Sequence, residues 1–419
     1  VLSCNVTTSG TGASMDDGPS FLRRIQVTFN GSILEDCDNA HRNANALVYI
    51  GASKSWVESA GTFAGYWKDV PALGSSAAAY TAISGVGGRA LIEGDVISAA
   101  VNASVRTTAG VSAYMNNGLT GMSYGVPLGL VSGVFRTQQY IPLSQCGEMV
   151  LQLTLAQASE AIFQIAGSTD GNYAVADIYL EADLVTPNYL YGQMLNMICQ
   201  DENEPGLVIP IETTIVSQGQ SVSGTAVDSS IIQSRATNNL RKIVVTCTPT
   251  SALADINYPS VSCFPNAGFS QVQWRIGSLY FPSQPANSLG RAFWMSAGSF
   301  NNSEPLNVYD GVINWNTYGN TTIYAAAGAG LVYTPAQYNT GQLRFADKFV
   351  LAYNFDNFKG GETLDADGVS ILGQSGAQIV TQLRNSPSVV SSAGLTPTVS
   401  LLATKYLHLK NGALKIVGA

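Results

Sequence analysis

Charge is what this chain of 419 residues has least of: Asp, Glu, Lys and Arg make up 11% of it, against about 25% in an ordinary globular protein. Hydrophobic residues still hold 46%, so neutral polar residues and glycine fill the deficit. Disordered chains combine low hydrophobicity with high net charge. This chain has neither and is expected to fold. With 20 basic and 28 acidic residues its net charge is −8, and no basic run exceeds the pairs Arg23-Arg24 and Arg241-Lys242. Affinity for nucleic acid comes from many Lys and Arg contacts to phosphate, so direct, sequence-specific nucleic-acid binding is not expected. Scarce charge has two readings. Much of the exterior meets other protein, or Ser, Thr and Asn keep a monomer soluble.

Histidine is scarcer still, with only His41 and His408 in the chain. The six cysteines (Cys4, Cys37, Cys146, Cys199, Cys247 and Cys263) lie far apart with no C-x-x-C pair. That spacing shows no zinc or iron–sulfur framework, and it is too sparse for a disulfide scaffold, so buried thiols are expected. Neither a metal nor a cofactor is expected. No apolar run approaches the roughly 18 to 20 residues that cross a bilayer. The opening residues lack the charged-then-apolar pattern of a signal peptide. The chain is expected to be soluble, and its first residue, Val1, implies processing or truncation.

What is present is strand after strand. Residues 1–20, rich in Ser, Thr, Gly and Asp, are expected to form a flexible arm. Leu22 to Phe29 then alternates Ile25, Val27 and Phe29 with polar neighbours, and Asn30-Gly31 supplies a turn. Further strands are expected over Val150 to Leu155 and over Ala174 to Val185, the latter with Ile178, Leu180, Ala182 and Leu184 on the core side. The second half has Ile243 to Cys247, Val272 to Ile276 and Phe349 to Tyr353. A last hairpin follows, in which Leu407 and Leu409 precede Asn411-Gly412, then Leu414 and Ile416. Helices are expected over Leu34 to Val48, over Ala156 to Phe163, and from Thr186-Pro187 through Leu190, Met194, Met197 and Ile198 near the midpoint. Without steady strand and helix alternation, an antiparallel sandwich or barrel is expected. Leu22 to Thr28 and Leu240 to Thr246 match at a shift of 218 residues, which suggests a doubled chain.

Few motifs suggest chemistry. Gly121-Met-Ser123-Tyr-Gly125 fits a nucleophile elbow. Its flanks do not, since Pro127 and several glycines stand where a helix is needed, and His408 is the only histidine that follows. Gly85-Val-Gly87-Gly-Arg-Ala90 resembles a dinucleotide fingerprint without its strand and helix. Asp365-Ala-Asp367-Gly368 lacks the remaining ligands of a calcium loop. Five glycosylation sequons (Asn5, Asn30, Asn102, Asn301 and Asn320) carry meaning only in a secreted protein. No catalytic, cofactor-binding or metal residue is therefore assigned, and an enzyme is not expected.

Phe21 to Gly31 with the segment after it, Tyr140-Ile-Pro-Leu143 leading into Leu151 to Leu155, and Tyr173 to Val185 running into the midpoint helix resemble the first half of double jelly-roll major capsid proteins. Among these the chain is most similar to those of polinton-like viruses and virophages. Trp274 to Pro282 and Phe349 to Asp356 look like that family's second half. The resemblance spans residues 20–419 through its order rather than any one signature. It implies an all-β chain with two tandem eight-stranded antiparallel jelly rolls and a few short helices. Residues 21–187 would form the first, 188–204 a linking helix and 205–419 the second. It further implies a homotrimeric, pseudo-hexameric capsomer of an icosahedral DNA virus shell, located in the virion after assembly inside the host cell. Expected partners are other copies, neighbouring capsomers, minor capsid and vertex (penton) proteins, and the internal membrane that many relatives enclose. A length of 419 residues is short for that subgroup. The alternatives are an extracellular carbohydrate-binding β-sandwich protein, or a single-jelly-roll capsid protein with a projecting domain.

Overall fold

A computed structural model describes residues 1–9, 13–66, 122–137, 140–164, 170–200, 206–221, 228–233, 239–250, 253, 255–256, 260–262, 264, 266, 269–300, 312–313, 318, 348–355, 379–385, 394–410 and 413–417. The first half contains β1 (Leu2–Ser9), β2 (Ala13–Met15), β3 (Leu22–Phe29), β4 (Ser32–Asp38), α1 (Ala40–Gly51), α2 (Lys54–Glu58), β5 (Met122–Val126), α3 (Leu128–Val131), α4 (Leu143–Cys146), β6 (Met149–Leu155), α5 (Ala158–Ala161), β7 (Ile162–Gln164), β8 (Asn172–Leu180) and α6 (Tyr189–Gln200). The second contains β9 (Leu207–Gln218), β10 (Asp228–Gln233), β11 (Leu240–Pro249), β12 (Phe269–Ile276), β13 (Leu279–Ala286), α7 (Leu289–Gly298), β14 (Leu351–Asn354), β15 (Ile379–Asn385), β16 (Leu395–Lys410) and β17 (Ala413–Val417).

All named strand pairs are antiparallel. In the second unit one sheet runs β14-β11-β16-β9, with β17 also on β16, and the other runs β10-β15-β12-β13. The first unit has sheets β5-β1-β8 and β4-β3-β6, plus the ribbon β2-β7. Set side by side, β5-β1-β8 corresponds to β14-β11-β16, and β4-β3-β6 to β13-β12-β15. In both units a hairpin leads directly into a helix, β3-β4-α1 in one and β12-β13-α7 in the other. The eight-strand plan is thus complete in the second unit. Six of its strands have counterparts in the first, and the counterparts of β9 and β10 are not among the described residues.

This correspondence corrects the repeat read from the sequence. A shift of 218 residues aligns β3 with β11, which occupy different places in the plan. The hairpins β3-β4 and β12-β13 instead align at a shift of 247, with Phe29 opposite Ser32 in one and Ile276 opposite Leu279 in the other. Each also has a bulge at its second residue, between Leu22 and Arg24 against β6 and between Phe269 and Gln271 against β15. The 218 match reflects strand alternation, which makes unrelated strands look alike.

Other expectations also change. Residues 1–20 are not a free arm: β1 is the middle strand of its sheet, and Leu2, Cys4, Val6, Met15, Asp16 and Ser20 are buried. Small polar residues suit a strand whose every second side chain packs inward. Leu34 to Val48 is not one helix. The turn at Asn30-Gly31, both at positive φ, folds β4 back onto β3, and α1 begins only after Asn39 in the left-handed region (φ 55°). The helix expected over Ala156 to Phe163 is the single turn α5, because Ile162 leaves it to pair with β2. β8 stops at Leu180, and Asp177 (φ 51°) sits at a bulge where its register on β1 shifts. The midpoint helix is present as α6, and Lys410 opposite Ala413 leaves two residues for the final hairpin turn.

Candidate assembly surface

Two kinds of surface emerge, a seam that joins the units and outward faces left exposed among the described residues. Helix α1 is the centre of the seam. Ala40 and Ala44 pack into the first unit's core with Leu2, Val6 and Ile25. Ala46, Val48, Tyr49 and Ile50 belong to the second unit's core with Trp274, Phe264 and Leu401. A second cluster joins Val27, Phe29 and Leu34 to Ile209, Ile211 and Leu407. Each such fully buried side chain contributes roughly 1.5–3 kcal/mol.

Polar groups inside the seam are held across it. Glu35 on β4 is fully buried and accepts hydrogen bonds from Ser132 Oγ, Gly133 N (2.9 Å), Val134 N (3.4 Å) and, from the other unit, Thr214 N (2.7 Å). Burial still pushes its carboxyl above the usual range. A Cβ on Gly133 would lie 2.8 Å from the Glu212 carbonyl oxygen, so only glycine lets this segment seat on β9. Arg136 pairs with Glu212, and Lys405 Nζ donates to Leu34 O at 2.9 Å. At the other end of α1, Asp16 accepts from Val261 N (3.1 Å) and Ser262 Oγ (2.5 Å). Lys348 Nζ donates to Ser262 O (2.5 Å) and Tyr49 Oη (3.0 Å), 3.8 Å from Asp17. Asn45 Nδ2 donates to Asp17 O and Val261 O at 3.0 and 3.1 Å. Burial, then repulsion from Asp17, pushes the Asp16 carboxyl up to about 6. Buried charges that bond across two units fix one geometry, because removing either partner leaves the other unpaired.

The outward face is apolar. From Ile178 the chain runs through Tyr179, Leu180, Leu184 (82% exposed) and Val185 into α6, where Tyr189, Leu190, Tyr191, Met194 and Met197 (68%) are all exposed and only Cys199 is buried. The side expected to meet the core on β8 is therefore open. Leu180 lies opposite Leu2, on the same face. Leu2 is buried, whereas Leu180 stands at an edge with no strand beyond it among the described residues. Large apolar side chains exposed in this number along one stretch are what protein–protein or ligand contacts cover.

The motifs singled out in the sequence do not assemble. Ser123 lies within β5 opposite Asn5, and Gly125 is small because the Phe63 ring occupies the place of a Cβ (1.7 Å). His408 lies on β16, in another sheet, opposite Val208 and Lys415. Asn5 Nδ2 donates to Asp177 at 2.9 Å, and Asn30 forms the β3-β4 turn. Gly85 to Ala90, Asp365, Asp367, Asn102, Asn301, Asn320 and Cys263 lie outside the described residues. The other five cysteines are buried free thiols. Among the described residues no three His, Cys, Asp or Glu side chains cluster as a metal site, and no helix is long and apolar enough to cross a membrane. The residues that do assemble, Asp16, Glu35, Tyr49 and Lys348, had no sequence signal, because their partners are 86 to 299 residues away.

No family model matches the chain, and no curated protein matches it. Solved structures do. A chain in the cryo-EM structure of the Sputnik virophage is 9% identical with a TM-score of 0.54, covering 100% of this chain and 82% of that one. The Faustovirus major capsid protein (12% identity, TM-score 0.48) covers 96% of this chain and 74% of that one, and the mavirus major capsid protein (11%, 0.43) covers 100% and 83%. The likeness to the Sputnik chain is one of fold, and the chain is a double jelly roll.

Proposed function

We propose that this chain is a major capsid protein whose work is assembly rather than catalysis: three copies form a capsomer with a pseudo-hexagonal outline that tiles an icosahedral shell. The observation that carries the reading is the locked pair of like sandwiches with an uncovered apolar face along 178–198. Two similar units held rigidly side by side give three copies six similar flanks, so one polypeptide can have six neighbours in a closed threefold ring. Interfaces that hold permanent oligomers together are large and apolar, like a divided core. Exposed Leu184, Leu190, Met194 and Met197 supply such a surface, and the low charge of 11% agrees with an exterior largely covered by protein. The fold shared with the Sputnik virophage chain supports the same role. On this reading the protein resides in the virion. Minor capsid, vertex and membrane partners belong to the same proposal, as do a linking helix over 188–204 and a second unit over 205–419, with the first unit beginning at β1 rather than at residue 21.

Size-exclusion chromatography with light scattering tests it. The expected particle is three times the 44.0 kDa of the chain and does not fall apart on dilution. A monomer at every concentration overturns the proposal, and a monomer whose elution shifts with added oligosaccharide supports the carbohydrate-binding alternative.

A further inference from the structure

Two buried side chains of the seam, one from each unit, stand close enough to react. Lys348 Nζ lies 3.8 Å from Asp17 Oδ2, and both residues are buried. The backbone is pinned on either side. Lys348 forms a parallel bridge to Phe264, whose carbonyl oxygen accepts from Phe349 N at 2.8 Å. Asp17 O accepts from Asn45 Nδ2 at 3.0 Å, and Gly18 N donates to Gly65 O at 2.8 Å. Tyr49 Oη stands between the two charges: it accepts from Lys348 Nζ at 3.0 Å and donates to Asp17 Oδ2 at 3.4 Å. Aromatic rings close the site. Lys348 Nζ lies 4.3 Å from the centre of the Tyr49 ring, and the rings of Phe264 and Tyr66 pack 6.0 and 6.5 Å from it.

We infer that Lys348 and Asp17 become joined by an amide bond between their side chains, a covalent link across the seam. Lys348 passes a proton to Tyr49 Oη as Tyr49 passes its own to Asp17 Oδ2, which turns the ion pair into a neutral amine and a carboxylic acid. The lone pair of Nζ then forms a bond to Asp17 Cγ. The Cγ–Oδ2 bond breaks, and Oδ2 leaves as water with a second proton from Nζ. Nothing is oxidised or reduced, and no co-reactant is needed. In bulk water, hydration favours the separate ammonium and carboxylate over the amide. Burial removes that hydration and makes the ion pair costly, whereas the amide is neutral and its N–H retains an acceptor in Ser262 O, now 2.5 Å from Nζ. Groups held with their reacting atoms about 3–3.5 Å apart react as if highly concentrated, and a small side-chain rotation brings Nζ to that range of Cγ. The link does not depend on the oligomeric state.

Mass spectrometry of the folded, purified chain tests it without any substitution. The intact chain is expected to be lighter than its sequence by one water, and a tryptic digest is expected to yield a branched peptide that contains both Asp17 and Lys348. Full mass, with the peptides around Lys348 recovered in linear form, overturns the inference. Loss of one water with only linear peptides overturns it as well, because Asp17 would then have closed on the amide of Gly18. Tyr49→Phe keeps the ring and removes the proton path. The share of branched peptide in freshly made protein is expected to fall by about 10-fold or more, with circular dichroism unchanged. An equal share in that variant overturns the part assigned to Tyr49.

Discussion

The same strand lives in opposite circumstances in the two halves of this molecule. β16 lies between β11 and β9, and its first ten residues are buried without a break. Its counterpart β8 has β1 on one side and no strand on the other among the described residues, and most of its side chains are exposed. The helices reverse the inequality. α1 of the first unit is buried nearly throughout, whereas α7 of the second leaves Trp294 in the open. Burial in a doubled fold is therefore set by what stands beside each element more than by the element's own sequence. Leu180 and Leu184 are as apolar as Leu401 and Leu402, yet only the latter two are buried. An unpaired strand edge readily accepts another strand, and here the chain leads from it into α6, with its exposed Leu190, Met194 and Met197.

The largest expected difference is in amide hydrogen exchange. Strands inside a core open only with global unfolding, while edge strands open locally at little cost. Amides of Thr398 to Leu402 in β16 are expected to exchange about 1,000-fold or more slowly than those of Tyr173 to Leu180 in β8. Mass-spectrometric exchange on the isolated chain reads both at once. Equal protection in the two strands would mean that β8 is covered after all, and the contrast between the units would disappear.

Substitution at equivalent core positions sharpens the comparison next. Trp274 and Val27 correspond at the 247 shift, and both are fully buried. Trp274→Ala is expected to cost about 3–5 kcal/mol in denaturant unfolding, the transfer of a large ring plus the cavity left behind. Val27→Ala removes far less volume and is expected to cost about 1–2 kcal/mol. A single unfolding transition in both variants would show that the seam makes the units one cooperative body. Two transitions, only one of them shifted, would show that each sandwich melts alone.

Much of this was legible in the sequence, and the misses have a common physical origin. β3 was readable to the residue because Ile25, Val27 and Phe29 alternate cleanly and Asn30-Gly31 ends the run. α6 was readable from Pro187 and its apolar spacing. Leu34 to Val48 misled because apolar residues at mixed spacing fit a helix locally, while the free edge of β3 decides that Ser32–Asp38 pairs as a strand. The side of β8 facing the core was inferred from alternation alone. Alternation tells which residues share a face and is silent on whether a neighbour covers it. The seam was invisible for a plainer reason. Glu35, Asp16 and Lys348 look like ordinary surface charges until residues 179, 246 and 86 positions away are brought to them.

The last of the expected effects belongs to that seam, where, among the described residues, buried charge ties the two units. Burial and the neighbouring Asp17 lift the Asp16 carboxyl from an ordinary 3.8 to about 6. A carboxyl raised in the folded state holds its proton more tightly there than in the unfolded chain, so its contribution to stability is full below about pH 4 and is lost as the pH rises through about 6. Glu35 is raised as well, again mainly by burial, and acts in the same direction. Denaturant unfolding at pH 4 and at pH 7 should therefore show the seam's carboxyls favouring the acid side, with Asp16 responsible for at most about 3 kcal/mol of the difference. Asp16→Asn keeps an oxygen that can accept from Val261 N or Ser262 Oγ and removes the titration. It is expected to flatten the dependence between pH 4 and 6 by that amount while leaving the part due to Glu35. A variant with an unchanged pH profile would mean that Asp16 is already well solvated, and that the seam there is looser than the packing of α1 against both cores requires.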